Sequence, residues 1–279
     1  MKFEYNESKI IEKIMADKMY EKAHNVLTQD IICPEDFVDL YGVKNVGEDV
    51  EYVKKMEEKF KQEDSPEKQE LKKIASVLEA IVYEQIKTNN WLGPDATTIK
   101  SSRYDDIKNG VDNIVEFYKK EDFSSSHLAL AIDETFSSDI NEKFKRIKEE
   151  IKRGELAQIK YFAFNRLNIR GELSKIPRVV IGADAKTVKE VGELWLEKNN
   201  KDLAKHPIQF IIIEEMLSQL ETFKKYAQKV NQPDIALIYE RTQKILQKIY
   251  DDKKDLRNSQ KPHKNDCVYN AIVNNLKNF

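Results

Sequence analysis

Four residues have the types and spacing for chemistry: Glu79, Asp112, Asp133 and Thr135. Asp133 closes the apolar run Leu128–Ile132, and strand alternation puts Ala129, Ala131, Asp133 and Thr135 on one face. Small residues leading to an acid and a hydroxyl leave room beside Asp133. Asp112 stands early on the preceding strand, just after Asn109-Gly110, and shares its face with Ile114 and Glu116. If these strands are antiparallel neighbours, Asp112 and Asp133 approach each other, and convergent carboxylates repel unless a proton or divalent cation sits between them. Magnesium, with manganese as substitute, is the natural occupant of such an oxygen-lined seat. An ion held there polarises a bound oxyanion such as a phosphate and acidifies a water, which is what phosphodiester hydrolysis needs.

Glu79 enters from a helix. Ser65-Pro66 is a helix start, with the hydroxyl as N-cap and proline at the first helical position. Leu71, Ile74, Ala75, Leu78, Ile81, Val82 and Ile86 then form one apolar face running to about Lys87. At ~100° per residue Glu79 falls at the margin of that face while Glu84 points away, so Glu79 is the carboxylate that reaches in, binding the same metal through water or orienting the nucleophile. Asp105 joins the cluster if Asn109-Gly110 is a two-residue turn pairing Ile107 with Asp112 and Asp105 with Ile114. The basic run Lys143, Lys145, Arg146, Lys148, Lys152 and Arg153 follows on the next helix, where Lys143, Lys145 and Arg146 are expected to contact nucleic-acid phosphates.

The elements that must hold these residues follow from periodicity. Helices are expected over Glu7–Thr28, Glu35–Tyr41 and Val46–Gln62, then over Ser65 to about Lys87. Strands follow over Thr97–Ile107, Val111–Phe117 and His127–Phe136, with a polar loop Lys119–Ser126. A helix Asp139–Arg153, strands Ala157–Phe164 and Arg178–Gly182, and a helix from Thr187 to about Lys198 complete the module, followed by helices Ile208–Val230, Asp234–Lys254 and Cys267–Leu276. The fold class is α/β of the α+β kind, a central mixed sheet flanked by helices. Three regions are expected: N-terminal helices over 1–64, a core over 65–200 and C-terminal helices over 201–279.

Composition narrows the function classes. The 279 residues are 40% hydrophobic and 34% charged, globular but polar. No apolar run approaches the ~20 residues of a membrane span and the start carries no apolar signal core, so no membrane partner and a cytoplasmic location are expected. Cys33 and Cys267 have no C-x-x-C spacing, and the four histidines are scattered singly, which argues against a disulfide framework, a thiolate zinc site and a histidine metal site. A net charge of −2 leaves nucleic-acid contact to local basic patches.

A helix with an acid, a hairpin, a strand bearing an acid-x-polar pair, a basic helix and a further strand resemble the core of the PD-(D/E)XK nuclease superfamily. The resemblance implies a restriction-endonuclease-like core, with Glu79 as the early helical acid, Asp112 in Gly110-Val111-Asp112 as the motif aspartate, and Asp133 as the first member of the acid-x-Lys pair. It makes all three Mg2+ ligands. Thr135 stands at the lysine position and Val111 at that of the motif proline. A lysine from elsewhere is then required, and Lys148, Lys143 and Lys145 on the following helix, or Lys160 on the next strand, are the substitutes. Alternatives are an inactive module of this fold binding nucleic acid or protein, a ribonuclease-H-like or sugar-kinase-like core beginning at Leu130, and a mainly helical interaction protein. The plain reading of each residue stands beside these: Glu79 as a helix-boundary residue, Asp112 as a turn acid, the basic run as a solvated face.

Overall fold

The computed structural model describes residues 2–117, 128–135, 140–164, 169–257 and 266–279, the side chains of 2–12, 128–131, 133–135 and 257 excepted. The expected loop Lys119–Ser126 lies outside the described residues. The chain opens with helix α1 (Lys2–Gln29), followed by a 3-10 turn at Pro34–Phe37 and helix α2 (Val38–Glu63). The two helices expected on either side of Gly42 are therefore one interrupted element. Gly42 takes φ 79° and ψ 152°, a conformation that only a residue without Cβ adopts cheaply, and the helix resumes beyond it. Helix α3 (Pro66–Asn89) starts as expected, with the Ser65 hydroxyl accepting from the Lys68 amide at 3.3 Å.

Strand β1 (Ala96–Lys100) ends earlier than its β-branched run suggests. The chain then coils into a π-helical turn (Asp105–Asn109), and strands β2 (Asn113–Phe117) and β3 (Leu128–Thr135) follow. The expected two-residue hairpin is thus replaced by a helical connection. Gly110, at φ 61°, is the cap of that turn, and the same left-handed freedom that makes Asn-Gly a hairpin signal serves a helix end equally well. The register changes accordingly: Ile99, not Asp105, pairs with Ile114.

Helix α4 (Asn141–Arg153) stops at Gly154, φ 74°. Strands β4 (Ala157–Phe164) and β5 (Ile169–Ile176) form an antiparallel pair of their own, and β6 (Arg178–Gly182) returns to the first sheet. Strand β5, IRGELSKI, is absent from the sequence expectations because charges dominate its outward positions; Ile169, Leu173 and Ile176 are what it packs inward. The first sheet has the order β1-β2-β3-β6, antiparallel except that β6 runs parallel to β3, pairing Asp133 with Val180 and Thr135 with Gly182.

The remainder is helical: α5 (Ala185–Leu196), α6 (Asn200–Leu203), α7 (Ile208–Lys229), α8 (Pro233–Asp252), α9 (Lys254–Arg257) and α10 (Cys267–Leu276). Helix α7 runs beside β6 and closes its open edge. The Gln219 amide accepts from the Val180 N–H at 2.8 Å and donates to the Val180 carbonyl at 2.6 Å, while Glu215 accepts from the Gly182 N–H at 3.1 Å. An edge strand is thereby satisfied by side chains rather than left as a template for another chain. The result is a helix-rich α+β protein. Its main apolar core unites Met19 and Ala23 of α1, Ile81 and Ile86 of α3, Val115, Ile132 and Val179 of the sheet, Trp195 of α5, and Leu220, Tyr239 and Ile272 of the last helices. The regions 1–64, 65–200 and 201–279 all contribute to it. No described helix is long and apolar enough to cross a membrane.

Candidate active site

On β1, alternation turns Thr98 and Lys100 toward α3. The Thr98 hydroxyl donates to the Tyr83 carbonyl at 3.1 Å, and the Lys100 ammonium donates to the Glu79 carboxylate and, at 2.8 Å, to the Asp112 carbonyl. The side chains of Lys100 and Glu79 keep only 6% and 16% of their surface. Burial alone lowers the Lys100 pKa, but Glu79, Asp106 and Asp112 outweigh it together and hold the amine well above its ordinary range, so it is a buried cation. Glu79, taken from the sequence as the acid that reaches in, does reach the sheet, where it meets a lysine.

The connection from Ser101 to Asp112 carries two adjacent acids with different tasks. Asp105 is fully buried and accepts from the Lys160 amide (2.8 Å), the Tyr161 amide (3.0 Å), the Ser102 hydroxyl (2.6 Å) and the Asn109 amide (2.6 Å). With its oxygens so engaged it fastens β4 to the connection, and the expectation that it joins a metal cluster is corrected. Asp106 instead hydrogen-bonds to the Asp112 carboxyl and pairs with Arg103. Loss of solvent first, and the Asp112 charge second, push Asp106 up to about 6 against the pull of Lys100 and Arg103. Two carboxyls in contact hold a proton more tightly than either would alone, because their like charges repel.

Asp112 is pinned through its backbone. Its amide donates to the Ile132 carbonyl at 3.0 Å, and its carbonyl accepts from Lys100, from the Ser101 hydroxyl at 3.0 Å and from the Ser101 amide at 3.3 Å. Strands β2 and β3 are adjacent and antiparallel, so the strand carrying Asp133 neighbours the one Asp112 leads into. The side chains of Asp133 and Thr135 lie outside the described residues.

Lys148 and Lys160 are placed elsewhere. Lys148 donates to the Asn278 carbonyl and lies 5.5 Å from the Tyr226 and Phe279 ring centres, tying α4 to the C-terminus. Lys160 pairs with Asp49 among the rings of Tyr41, Tyr104 and Tyr161. Of the basic residues expected on phosphates, Lys143 and Lys145 lie on α4, with Lys145 exposed and 3.7 Å from Glu142. Arg146 is drawn to the Asp112 connection, donating to the Lys108 carbonyl at 3.1 Å.

Lys100 and Asp106 are the site residues that sequence reasoning missed. Their signal was present: Lys100 is the charged end of an otherwise β-branched strand, and Asp105-Asp106 precedes Asn-Gly at the spacing of one helical turn. Asp106 and Asp112 are hard oxygen donors of the type Mg2+ takes, and a cation in place of their shared proton relieves their repulsion. Among the described residues no third histidine, cysteine or acid completes a metal-binding group with them. The chain matches no family model, no curated protein and no solved structure.

Proposed function

We propose that this chain is a cytoplasmic, divalent-cation-dependent nuclease hydrolysing phosphodiester bonds in DNA or RNA, built on a restriction-endonuclease-like core within 65–200. The observation that carries this reading is the buried Lys100 ammonium, which joins the Glu79 carboxylate to the Asp112 carbonyl beside the Asp106–Asp112 carboxyl pair. The order α3, β1, β2, β3, α4 and then β6 beside β3 supports it too, being the order that the resemblance to PD-(D/E)XK nucleases implies, with the β4–β5 pair inserted.

In this reading Asp106 and Asp112 hold Mg2+ or Mn2+, with Asp133 completing the set from the neighbouring strand. The ion supplies polarisation of the phosphate and a more acidic water. Lys100 takes the place of the lysine that Thr135 does not provide, a fixed positive charge toward the developing charge on phosphorus, in a site where low solvent exposure strengthens it. Glu79 orients Lys100.

The test is cleavage of end-labelled single- and double-stranded DNA and RNA with Mg2+, with Mn2+ and with EDTA. Wild type is expected to cut at least one of them only with the metal. Asp112→Ala and Lys100→Met are expected to lower the rate by at least about 100-fold, the scale of losing one electrostatic stabiliser. Turnover surviving both substitutions ends the reading. A second reading, an inactive module of the same fold that binds nucleic acid, is favoured by Thr135 on β3; tight binding with no cleavage under either metal selects it.

A further inference from the structure

Beside the Asp112 connection lies a polar cleft of about 200 Å³ lined by Asn109, Arg146, Arg153, Gln158 and Arg178, with Glu150, Glu155 and the apolar Leu156. Arg178, the first residue of β6, is buried; its guanidinium donates to the Gly110 carbonyl and, at 3.1 Å, to Glu150. Arg146 of α4 reaches the same Glu150 oxygen at 3.2 Å. One carboxylate oxygen therefore serves two guanidiniums, that of Arg178 buried and that of Arg146 partly exposed. Arg153 and Glu155 pair with each other at the rim, 2.7 Å apart and half exposed. The arginines of the lining outnumber its acids, which leaves the cleft a positive charge in excess.

Both guanidiniums crowd Gly110. A methyl group built there would stand 2.6 Å from Arg146 Nη1 and 3.1 Å from Arg178 Nη1, so the backbone two residues before Asp112 lies directly against the cations.

We propose that this cleft is a phosphate-binding site, in which Arg146 and Arg178 bind the oxygens of a phosphate group and the Asn109 and Gln158 amides complete the seat. Planar guanidiniums suit a tetrahedral oxyanion because each offers parallel N–H donors. Glu150 orients both guanidiniums, and the excess charge of the lining faces the ligand. The phosphate belongs either to a nucleic-acid backbone or to a small phosphorylated molecule. The first source rests on the nuclease reading and seats a phosphate close to the carboxyl pair through Gly110; the second is independent of it.

The experiment is binding in EDTA, where hydrolysis is silent, by fluorescence anisotropy of a labelled single-stranded oligonucleotide and of the same sequence with an uncharged methylphosphonate backbone, and by calorimetry with inorganic phosphate. Arg146→Ala and Arg153→Ala are compared with Arg146→Lys, and unfolding curves confirm that each variant is folded. Wild type is expected to bind at least one phosphate-bearing probe and not the methylphosphonate. Arg146→Ala is expected to weaken binding about tenfold, the cost of one charged hydrogen bond, with Arg146→Lys between the two. Asp112→Asn is expected to bind at least as tightly as wild type, so loss of cleavage and loss of this site are separable. Binding of inorganic phosphate without the oligonucleotide supports the site and assigns it to a small phosphorylated ligand. No binding by wild type, or wild-type affinity in Arg146→Ala, overturns it.

Discussion

Asp106 links protonation to stability with a definite sign. Its pKa, about 6 in the folded chain against an ordinary 3.8, means that the native state holds its proton more tightly than the unfolded state. Between about pH 4 and pH 6 unfolding therefore releases a proton, and stability falls as pH rises through that window. Below it both states are protonated and the penalty vanishes; above it the penalty is complete. The full shift corresponds to roughly 3 kcal/mol, reduced to about 1–2 kcal/mol because Asp106 keeps 24% of its surface. Asp106→Asn is expected to stabilise the protein by about that amount at pH 7.5 and to change little at pH 4, measured by urea unfolding at both values. An equal change at both pH values would place the effect outside the carboxyl pair. At this scale the sequence was legible for Glu79, whose position on the rim of an apolar helix face does bring it to the sheet. It was not legible for Asp105 against Asp106, since adjacent acids exchange roles when a strand becomes a helical turn, and only the turn shows which one faces Asp112.

At the level of elements, Gln219 is the residue whose loss is most revealing. Its amide replaces a neighbouring strand for Val180 by accepting and donating at once. Gln219→Leu keeps the bulk and leaves a buried N–H and C=O without partners, which costs about 2–4 kcal/mol. The expected readout is a lower urea midpoint together with faster hydrogen exchange at the Val180 amide; an unchanged midpoint would mean that α7 does not secure the β6 edge. The helices were readable because their apolar faces repeat and, at Ser65-Pro66, because the cap is explicit. Strand ends were not. Thr97 to Ile107 has the composition of one long strand, yet burying Asp105 against four donors is worth more than extending the ladder, and tertiary context overrides propensity. Strand β5 escaped for the converse reason: its exposed positions carry mainly charge, with Arg170, Glu172 and Lys175 breaking the apolar run.

For the whole molecule, one core joins α1 to α10 around a sheet whose β1–β2 end holds lysine and acids. The acids and the Arg146–Arg178 cleft lie on the connection Ser101–Asp112, which α3 and β1 brace from one side and α4 and β6 from the other. In the proposed reading, the cation and phosphate sites would both lie on this one connection. Mn2+ binding followed by electron paramagnetic resonance tests the cation seat most directly. The expected result is one Mn2+ per chain at pH 7.5, displaced by Mg2+, weakened at pH 5 where the carboxyl pair keeps its proton, and lost in the Asp106→Asn/Asp112→Asn double variant. Mn2+ that does not bind, or that binds the double variant as tightly as wild type, would contradict it.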